Sequence, residues 1–513
     1  MKVIKPVDIT YPGGSFSRSS IGTYWDASGY LQTAGTNVPR FNYNPYTKSF
    51  QGLMLEAQST NLFTNSEFNT GIASGIGIIS IGTMQNFISA ATFGYNGTTD
   101  SYFYKETVLA TQPYVISVFV EMQDGLSPSF GSAVAAASTN DFCFVLSGNV
   151  LNPTSYSIER ISTLIYRVSA QGTSGATLLG DNGIVKYASN SSRVFTTSGW
   201  QIELGTKVTS YIPTTSSTVT RQADTVTGTN LIYTSALDPT NTFNSGTTYA
   251  ISEVVRYQNK LYESLQSTNL NHFPDASPTW WLELGYDNLY AAFDNSVSTA
   301  TTANSELTMC IKAGAIDSVA LINMDSAIAE IAVVDPIDGV VYLNTAGLSG
   351  NEVYDWSQYF FYDPMIKRTQ VIFSDIQKYA NAIVTIRLKN GINDLSIGQI
   401  VLGNITTLGS TQYGVNAGII DFSKKETDEF GNTTFVKRAF SKRLSAQIFL
   451  KNSDLNRVQN YLYNIRATPV VWVASDDPAF EEALIVLGFY RDFSTEIAYP
   501  ANSLCSLEIE GLS

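Results

Sequence analysis

Residues 114–120 read Tyr-Val-Ile-Ser-Val-Phe-Val, and residues 199–204 read Gly-Trp-Gln-Ile-Glu-Leu. The first stretch is β-branched and aromatic, the composition that suits a pleated, packed surface. The second alternates, which predicts Trp200, Ile202 and Leu204 inward and Gln201 and Glu203 outward. Phe142-Cys143-Phe144-Val145-Leu146 and Leu164-Ile165-Tyr166-Arg167-Val168 lie between them. Many short strands at this spacing predict a β-sandwich with jelly-roll connections over residues 49–223.

Upstream, residues 1–48 hold short runs broken by PGG at 12–14, DASG at 26–29 and NYNP at 42–45. Such residues make turns by positive φ or by bonding their own backbone. The segment is expected to be an extended arm. Downstream, residues 224–246 are rich in Thr, Asn and Ser and read as a linker. Residues 247–285 form a compact aromatic unit. Residues 286–410 return to strands: Ile331–Val334, Val340–Leu343 after the turn Asp338-Gly339, Val371–Phe373 and Ala382–Leu388. A second sandwich is expected there.

Residues 411–513 concentrate charge, with Lys424, Lys425, Glu426, Asp428 and Glu429 ahead of Lys437, Arg438, Lys442 and Arg443. Asn452-Ser453-Asp454 offers N-cap chemistry, Leu455, Val458, Leu462 and Ile465 follow at helical spacing, and Pro469 closes the run. Strands flank this helix, which predicts a C-terminal α+β domain. The fold class is therefore mainly β: multi-domain β-sandwiches of jelly-roll type with a C-terminal α+β domain. No internal repeat of 20–50 residues is visible.

The 513 residues carry a net charge of −14, with 14% charged, 12% aromatic and 44% hydrophobic residues and one histidine. The acidic balance argues against a nucleic-acid partner. One histidine leaves little room for multi-histidine metal sites. The apolar stretch GIASGIGIISIG is too short and too broken to span a membrane, and MKVIKPVDITYPGG lacks the apolar core of a secretory signal. Cys143, Cys310 and Cys505 are far apart in apolar contexts, so they are expected as buried thiols in a chain folded in a reducing cytoplasm.

Chemistry that needs proton transfer finds few candidates. His272 sits in a proline-broken loop, LNHFPDASPTW, where a turn-stabilising role is expected. No G-x-S-x-G elbow is present. The glycines at 71, 75, 77 and 82 form no phosphate loop. Calcium could use Asp, Asn and carbonyl oxygens, but no EF-hand spacing exists. Paired carboxylates can cleave glycans when about 5–9.5 Å apart. Glu56 and Glu203 could face a groove, whereas Asp476-Asp477 and Glu481-Glu482 around Pro478 read as a solvated turn. No catalytic residue, metal or cofactor is assigned.

The aromatic cluster is more informative. Tyr249, Tyr257, Tyr262, Trp280 and Trp281 fall within a short span. Flat rings suit the C–H face of a sugar, but a small unit also needs rings merely to build a core. If adjacent Trp280 and Trp281 lie on a strand they point to opposite faces, and at most one is then core, the other being exposed or at a domain interface. Tyr257, Tyr262, Trp280 and Trp281 are the carbohydrate-binding candidates.

Two segments resemble a known family. NVPRFNYNPYTKSFQGLMLEAQSTNLFTNSEF (37–68) and GWQIELGTKVTSYIPTTSSTVTRQADTVT (199–227) resemble the paired signature of bacteriophage tail-fibre and tail-tip virion structural proteins. The matching residues include Pro39, Arg40, Phe41, Tyr43, Gly52, Glu56 and Asn61, then Trp200, Gln201, Glu203, Tyr211, Pro213, Thr214, Arg221 and Asp224. They bracket the first β-domain, and the resemblance implies a lectin-like jelly-roll between them. Residues 254–285 are similar to small chitin-type carbohydrate-binding modules through Val255, Tyr257, Leu261, Tyr262, Pro278, Trp280 and Trp281, with Asn259 in place of the usual glycine. The last hundred residues resemble terminal domains of tail-tip proteins, which implies that 411–513 anchors the chain to the tail.

The expectation is a non-enzymatic virion protein of the tail tip or tail fibre, made in the host cytoplasm. It attaches to other tail proteins as a homo-oligomer, a trimer or ring, and presents β-domains to a host-surface glycan. The alternatives are a virion-borne glycan depolymerase and a purely architectural or decoration protein.

Overall fold

The computed structural model describes residues 1–9, 13–68, 78–93, 101–104, 111–129, 140–146, 149–151, 156–175, 182–187, 191–228, 230–348, 367–427, 430, 433–475, 477, 480–497 and 499–512. The chain is mainly β, in multiple antiparallel sheets with few helices. It divides into two compact units, residues 16–226 and residues 1–15 with 227–513.

In the unit of residues 16–226, a six-stranded sheet runs in the order Tyr156–Arg160, Ile165–Thr173, Pro113–Met122, Phe195–Leu204, Phe87–Phe93, Ile78–Met84. A four-stranded sheet holds Ser101–Tyr104, Gly183–Lys186, Cys143–Leu146 and Asn149–Val150. Val118, Val168, Trp200 and Ile202 of the first pack with Phe144, Leu146 and Ile184 of the second in one core, so the two sheets form a sandwich. The strand Pro113–Met122 is packed on both faces, because Phe119 belongs to a second cluster with Trp25, Phe87, Ile165 and Tyr211. That explains why its sequence is an unbroken apolar run rather than an alternation.

The strand Phe195–Leu204 departs from the alternation expected of it. Gln201 and Glu203 are buried and Leu204 is exposed. Hydrogen bonds make this burial tolerable: the Gln201 amide donates to the Ser210 carbonyl at 3.2 Å and accepts from the Ile212 amide at 2.6 Å. A polar residue on a strand reads as outward only when nothing polar waits inside.

In the other unit, residues 2–6 are not an arm. Lys2–Pro6 lies in a large antiparallel sheet between Ile383–Thr407 on one side and Val470–Val473 on the other. Val3 and Ile4 are fully buried. The strand thereby joins the residues expected as a second sandwich to those expected as an α+β domain into one continuous 14-stranded sheet. Ile383–Thr407 is the spine, pairing with Thr301–Lys312, Ser318–Asp325 and Ile328–Asp335. Opposite Thr301–Lys312 it bulges after Lys389 and resumes pairing at Asp394, with the Asn390 side chain bonded to the Asp394 carbonyl at 2.6 Å.

The expected helix is present as Leu455–Asn464. Val458 and Leu462, with Ile465 just beyond, pack on Leu444, Ile448, Trp472 and Leu507. Its N-terminus differs from expectation. Asn452–Asp454 forms a 3₁₀ turn without a side-chain cap, and the Asn452 amide instead bonds the Tyr499 and Pro500 carbonyls. The sharp turn at Asp338-Gly339 is confirmed by Gly339 at φ 78°.

Cys143, Cys310 and Cys505 are all buried. Among the described residues no helix is long and apolar enough to cross a membrane, and no group of three or more His, Cys, Asp or Glu could hold a metal. The glycines at 71, 75 and 77, and Asp428, Glu429, Asp476 and Pro478, lie outside the described residues.

Candidate functional site

The aromatic unit is built on a three-stranded sheet of Val254–Tyr257, Lys260–Ser264 and Trp281–Tyr286. Gln258 and Asn259 turn the first hairpin with φ of 49° and 61°. Asparagine tolerates this left-handed conformation, so it serves where glycine is usual. Tyr249, Val255, Tyr262 and Trp281 form the core of the unit, and Phe243, Tyr257 and Trp280 pack against it.

The strand begins at Trp281, so Trp280 lies just outside it and the alternation of strand faces does not apply to the pair. Trp281 is 2% exposed, and its indole donates to the His272 carbonyl at 2.8 Å. Trp280, half-buried against the same core, stacks on the His272 imidazole, centroids 3.8 Å apart and planes 11° apart. His272 is held in turn by Asn269, at 3.0 Å from Nδ1. The only histidine is thus part of the loop's architecture.

A cavity of about 560 Å³ opens beside this core, lined by Gln258, Lys260, Tyr262, Pro274, Asp275, Pro278, Trp281, Leu282 and Glu283. Strand register creates it. Tyr262 faces Glu283, and Lys260 faces Tyr286, across one antiparallel pair. Lys260 Nζ reaches Glu283 Oε1 at 2.6 Å and lies 5.6 Å from the Tyr286 ring centroid. The hydrogen bond to Glu283 raises the Lys260 pKa. Burial raises that of Tyr262, and the Glu283 charge adds to the effect. An ion pair this exposed contributes about 0–1 kcal/mol, so both groups can turn to a ligand's hydroxyls at little cost.

Of the four candidates read from the sequence, the structure brings Tyr262 and Trp281 to this cavity and leaves Tyr257 and Trp280 out of its lining. Gln258, Lys260, Asp275 and Glu283 are the polar members that sequence reasoning missed. No local signal marks them, because Lys260 and Glu283 meet only through the pairing of Lys260–Ser264 with the later strand Trp281–Tyr286.

The carboxylates considered for hydrolysis are held by protein donors in the unit of residues 16–226. Glu203 is 1% exposed and faces no groove. It accepts from Ser59 Oγ at 2.6 Å and from the Thr209 amide at 3.1 Å. Glu56 accepts from the Ser210 amide and hydroxyl, both at 2.6 Å, and pairs with Arg40 at 2.9 Å. Burial pushes the Glu56 pKa up, but Arg221, Arg40 and the Ser210 bonds outweigh it, and the net shift is downward. A carboxyl held ionised in this way is a poor proton donor.

These contacts explain the two quoted signature segments. Asn61 of the first donates to the Trp200 and Ile212 carbonyls of the second at 2.9 and 2.8 Å, and accepts from the Ile202 amide at 3.1 Å. Arg40 meets Asp224, and Arg221 lies beside Glu56 at 3.6 Å. The shared residues stitch the segments together in the interior.

No family model matches the chain, and no curated protein matches it. Among solved structures it is similar to the N-terminal CBM22-1–CBM22-2 tandem domain of Paenibacillus barcinonensis Xyn10C, at 9% identity and TM-score 0.20 over 68% of this chain and 98% of that one. It is also similar to a fucolectin from the serum of striped bass (Morone saxatilis), at 10% identity and TM-score 0.16 over 76% and 95%, and to an allantoicase, at 7% identity and TM-score 0.14 over 78% and 93%. TM-scores this low carry no argument about fold or ligand.

Proposed function

We propose that the chain is a non-enzymatic adhesive component of a phage virion, at the tail tip or on a tail fibre, that binds a host-surface glycan in the cavity of residues 258–283. The observation that carries the binding reading is the cavity itself, where Pro278 and Leu282, backed by the nearly buried Tyr262, Trp281 and Pro274, meet the donors and acceptors of Lys260, Glu283, Gln258 and Asp275. Carbohydrate sites combine such walls with a few convergent polar groups. The phage reading rests on the paired signature at 37–68 and 199–227.

Each site of this kind is shallow and weak. Copies displayed together raise the effective affinity without a new contact. The absence of turnover is part of the reading: Glu56 and Glu203 are committed to the scaffold, and His272 to its loop.

The test is glycan binding by the full chain, with capsule or lipopolysaccharide polysaccharide from candidate hosts, and with a Lys260→Ala, Glu283→Ala variant. Both side chains are solvent-facing, so the fold should be unchanged. Binding by the wild type, at least ~10-fold weaker in the variant, with the polysaccharide left at its original length, supports the proposal. Polysaccharide shortened by the wild type would favour the depolymerase.

A second reading has its own observation. Tyr262 and Trp281 are 5% and 2% exposed, so they already fill a core and leave little ring face for a sugar. No wild-type binding to any host polysaccharide would make the unit an architectural spacer.

A further inference from the structure

The strand Asn416–Asp421 pairs with Phe440–Lys451, and beyond it Lys424–Thr427 pairs with Thr433–Val436. All eight residues of the outer pair are exposed. An isolated two-stranded hairpin is marginal in water, and this one is richly apolar. Ile419 is 70% exposed, Phe422 47%, Phe430 90%, Phe435 75%, Val436 38% and Phe440 52%. We propose that this ribbon, the described residues of 416–443, is the surface through which the chain associates with a second copy of itself.

Area is the first argument. Phenylalanines bury roughly 150–250 Å² each, so the four here offer on the order of 500 Å² at these exposures, with Ile419 and Val436 adding to it. A stable interface takes roughly 800 Å² from each partner. The ribbon alone supplies most of one side, and matches the largest apolar patch of a typical monomer, about 300–600 Å², which is often functional.

Charge selects the occupant. Residues 416–443 carry six basic and four acidic side chains, in a chain whose net charge is −14. The acidic excess therefore lies wholly outside the ribbon. Two copies repel body to body, and the ribbon, with more basic than acidic side chains, is an exposed segment that a second acidic body attracts. Phe435 and Val436 stand opposite Lys425 and Lys424 in register, so apolar and cationic contacts come from the same short ladder.

The geometry also sets the kind of contact. Among the described residues Asn416–Asp421 has a ladder on one side only, and an open strand edge accepts a further chain. Ribbon against body is a heterologous contact, which repeats from copy to copy and closes into a ring when the rotation permits. The inference does not depend on glycan binding, which the cavity at 258–283 serves separately.

Sedimentation velocity of the full chain, from about 1 to 100 µM, tests it against an Ile419→Glu, Phe435→Glu variant. Neither residue is buried, so unchanged circular dichroism and melting temperature will show that the variant folds. The expected result is wild-type association that rises with concentration and a variant Kd raised at least ~100-fold. A photo-crosslinker at position 435 should then join two copies. A wild type that stays monomeric over the whole range, a variant that assembles like the wild type, or adducts confined to single chains would each overturn the proposal.

Discussion

Arg18 and Asp224, 206 residues apart in the chain, meet at 3.0 Å with neither side chain exposed. The second oxygen of the same carboxylate takes Arg40, and the Glu56 amide donates to it at 2.9 Å. Two guanidinium groups thus share one anion away from water. Asp224→Asn keeps the shape and removes the charge, taking the carboxylate from Arg18 and leaving Arg40 with Glu56 alone. We expect it to cost about 3–5 kcal/mol, read from urea unfolding of the unit of residues 16–226. A loss no larger than that of a surface pair, about 1 kcal/mol, would show that the network is not the anchor it is taken to be.

Lys186 gives the fold a pH dependence. Its amine is buried and donates to the Asp141 and Ser191 carbonyls at 3.1 and 2.8 Å. Burial lowers its pKa to about 8, although the Asp141 charge pulls the other way. In the unfolded chain the value is about 10.4. Between these two values the unfolded state holds a proton that the folded state has shed, so stability rises with pH across that window. Lys186→Met should remove this part of the slope. Urea midpoints at pH 7.5 and 9.5 for both proteins will show it, and equal slopes would contradict the assignment.

Gly403 makes room for the strand Lys2–Pro6. It stands opposite Pro6 in register, and a Cβ at this position would lie 2.0 Å from the Lys5 carbonyl oxygen. Backbone, not a flexible side chain, is the obstacle. Gly403→Ala should cost about 1–3 kcal/mol and speed hydrogen exchange at residues 2–5 while the helix Leu455–Asn464 keeps its protection. Unchanged exchange at residues 2–5 would mean that the ladder absorbs the methyl group.

The thiols should be silent. Cys310 is fully buried, and burial pushes its pKa up to about 12, against a weak bond to Thr385. A thiol that is rarely ionised and out of reach is a slow nucleophile. A disulfide-exchange reagent at neutral pH should label none of the three cysteines in the native chain and all three after denaturation. Only one labelled after denaturation would instead indicate a disulfide.

Local patterns were the legible part of the sequence. The helix at Leu455–Asn464 was visible because one face must be apolar at helical spacing, and Val458 and Leu462 occupy that face. The strands at 114–120 and 470–473 were visible because they are packed on both sides. What depends on distant partners was not visible. Glu203 and Gln201 read as outward residues because nothing adjacent reveals that Ser59, Thr209 and the Ile212 amide wait for them. Val3 and Ile4 read as part of an arm because their ladders come from residues 403–407 and 471–473. At the candidate site the rings were legible as a cluster, but which of them border the cavity follows from the pairing of Lys260–Ser264 with Trp281–Tyr286, which composition does not encode.

The placement of Lys2–Pro6 imposes an order on synthesis. This strand leaves the ribosome before the unit of residues 16–226, whose sequence is contiguous and can fold as soon as it emerges. Its own partners come some 400 residues later, which at about 5–20 residues per second is roughly 20–80 s of translation. Throughout that window a short apolar strand waits on a tether, while a finished neighbour forms beside it. The large sheet can therefore close only once Asn502–Gly511 has been made, and a nascent chain stalled before residue 403 would carry one completed unit and one open seam.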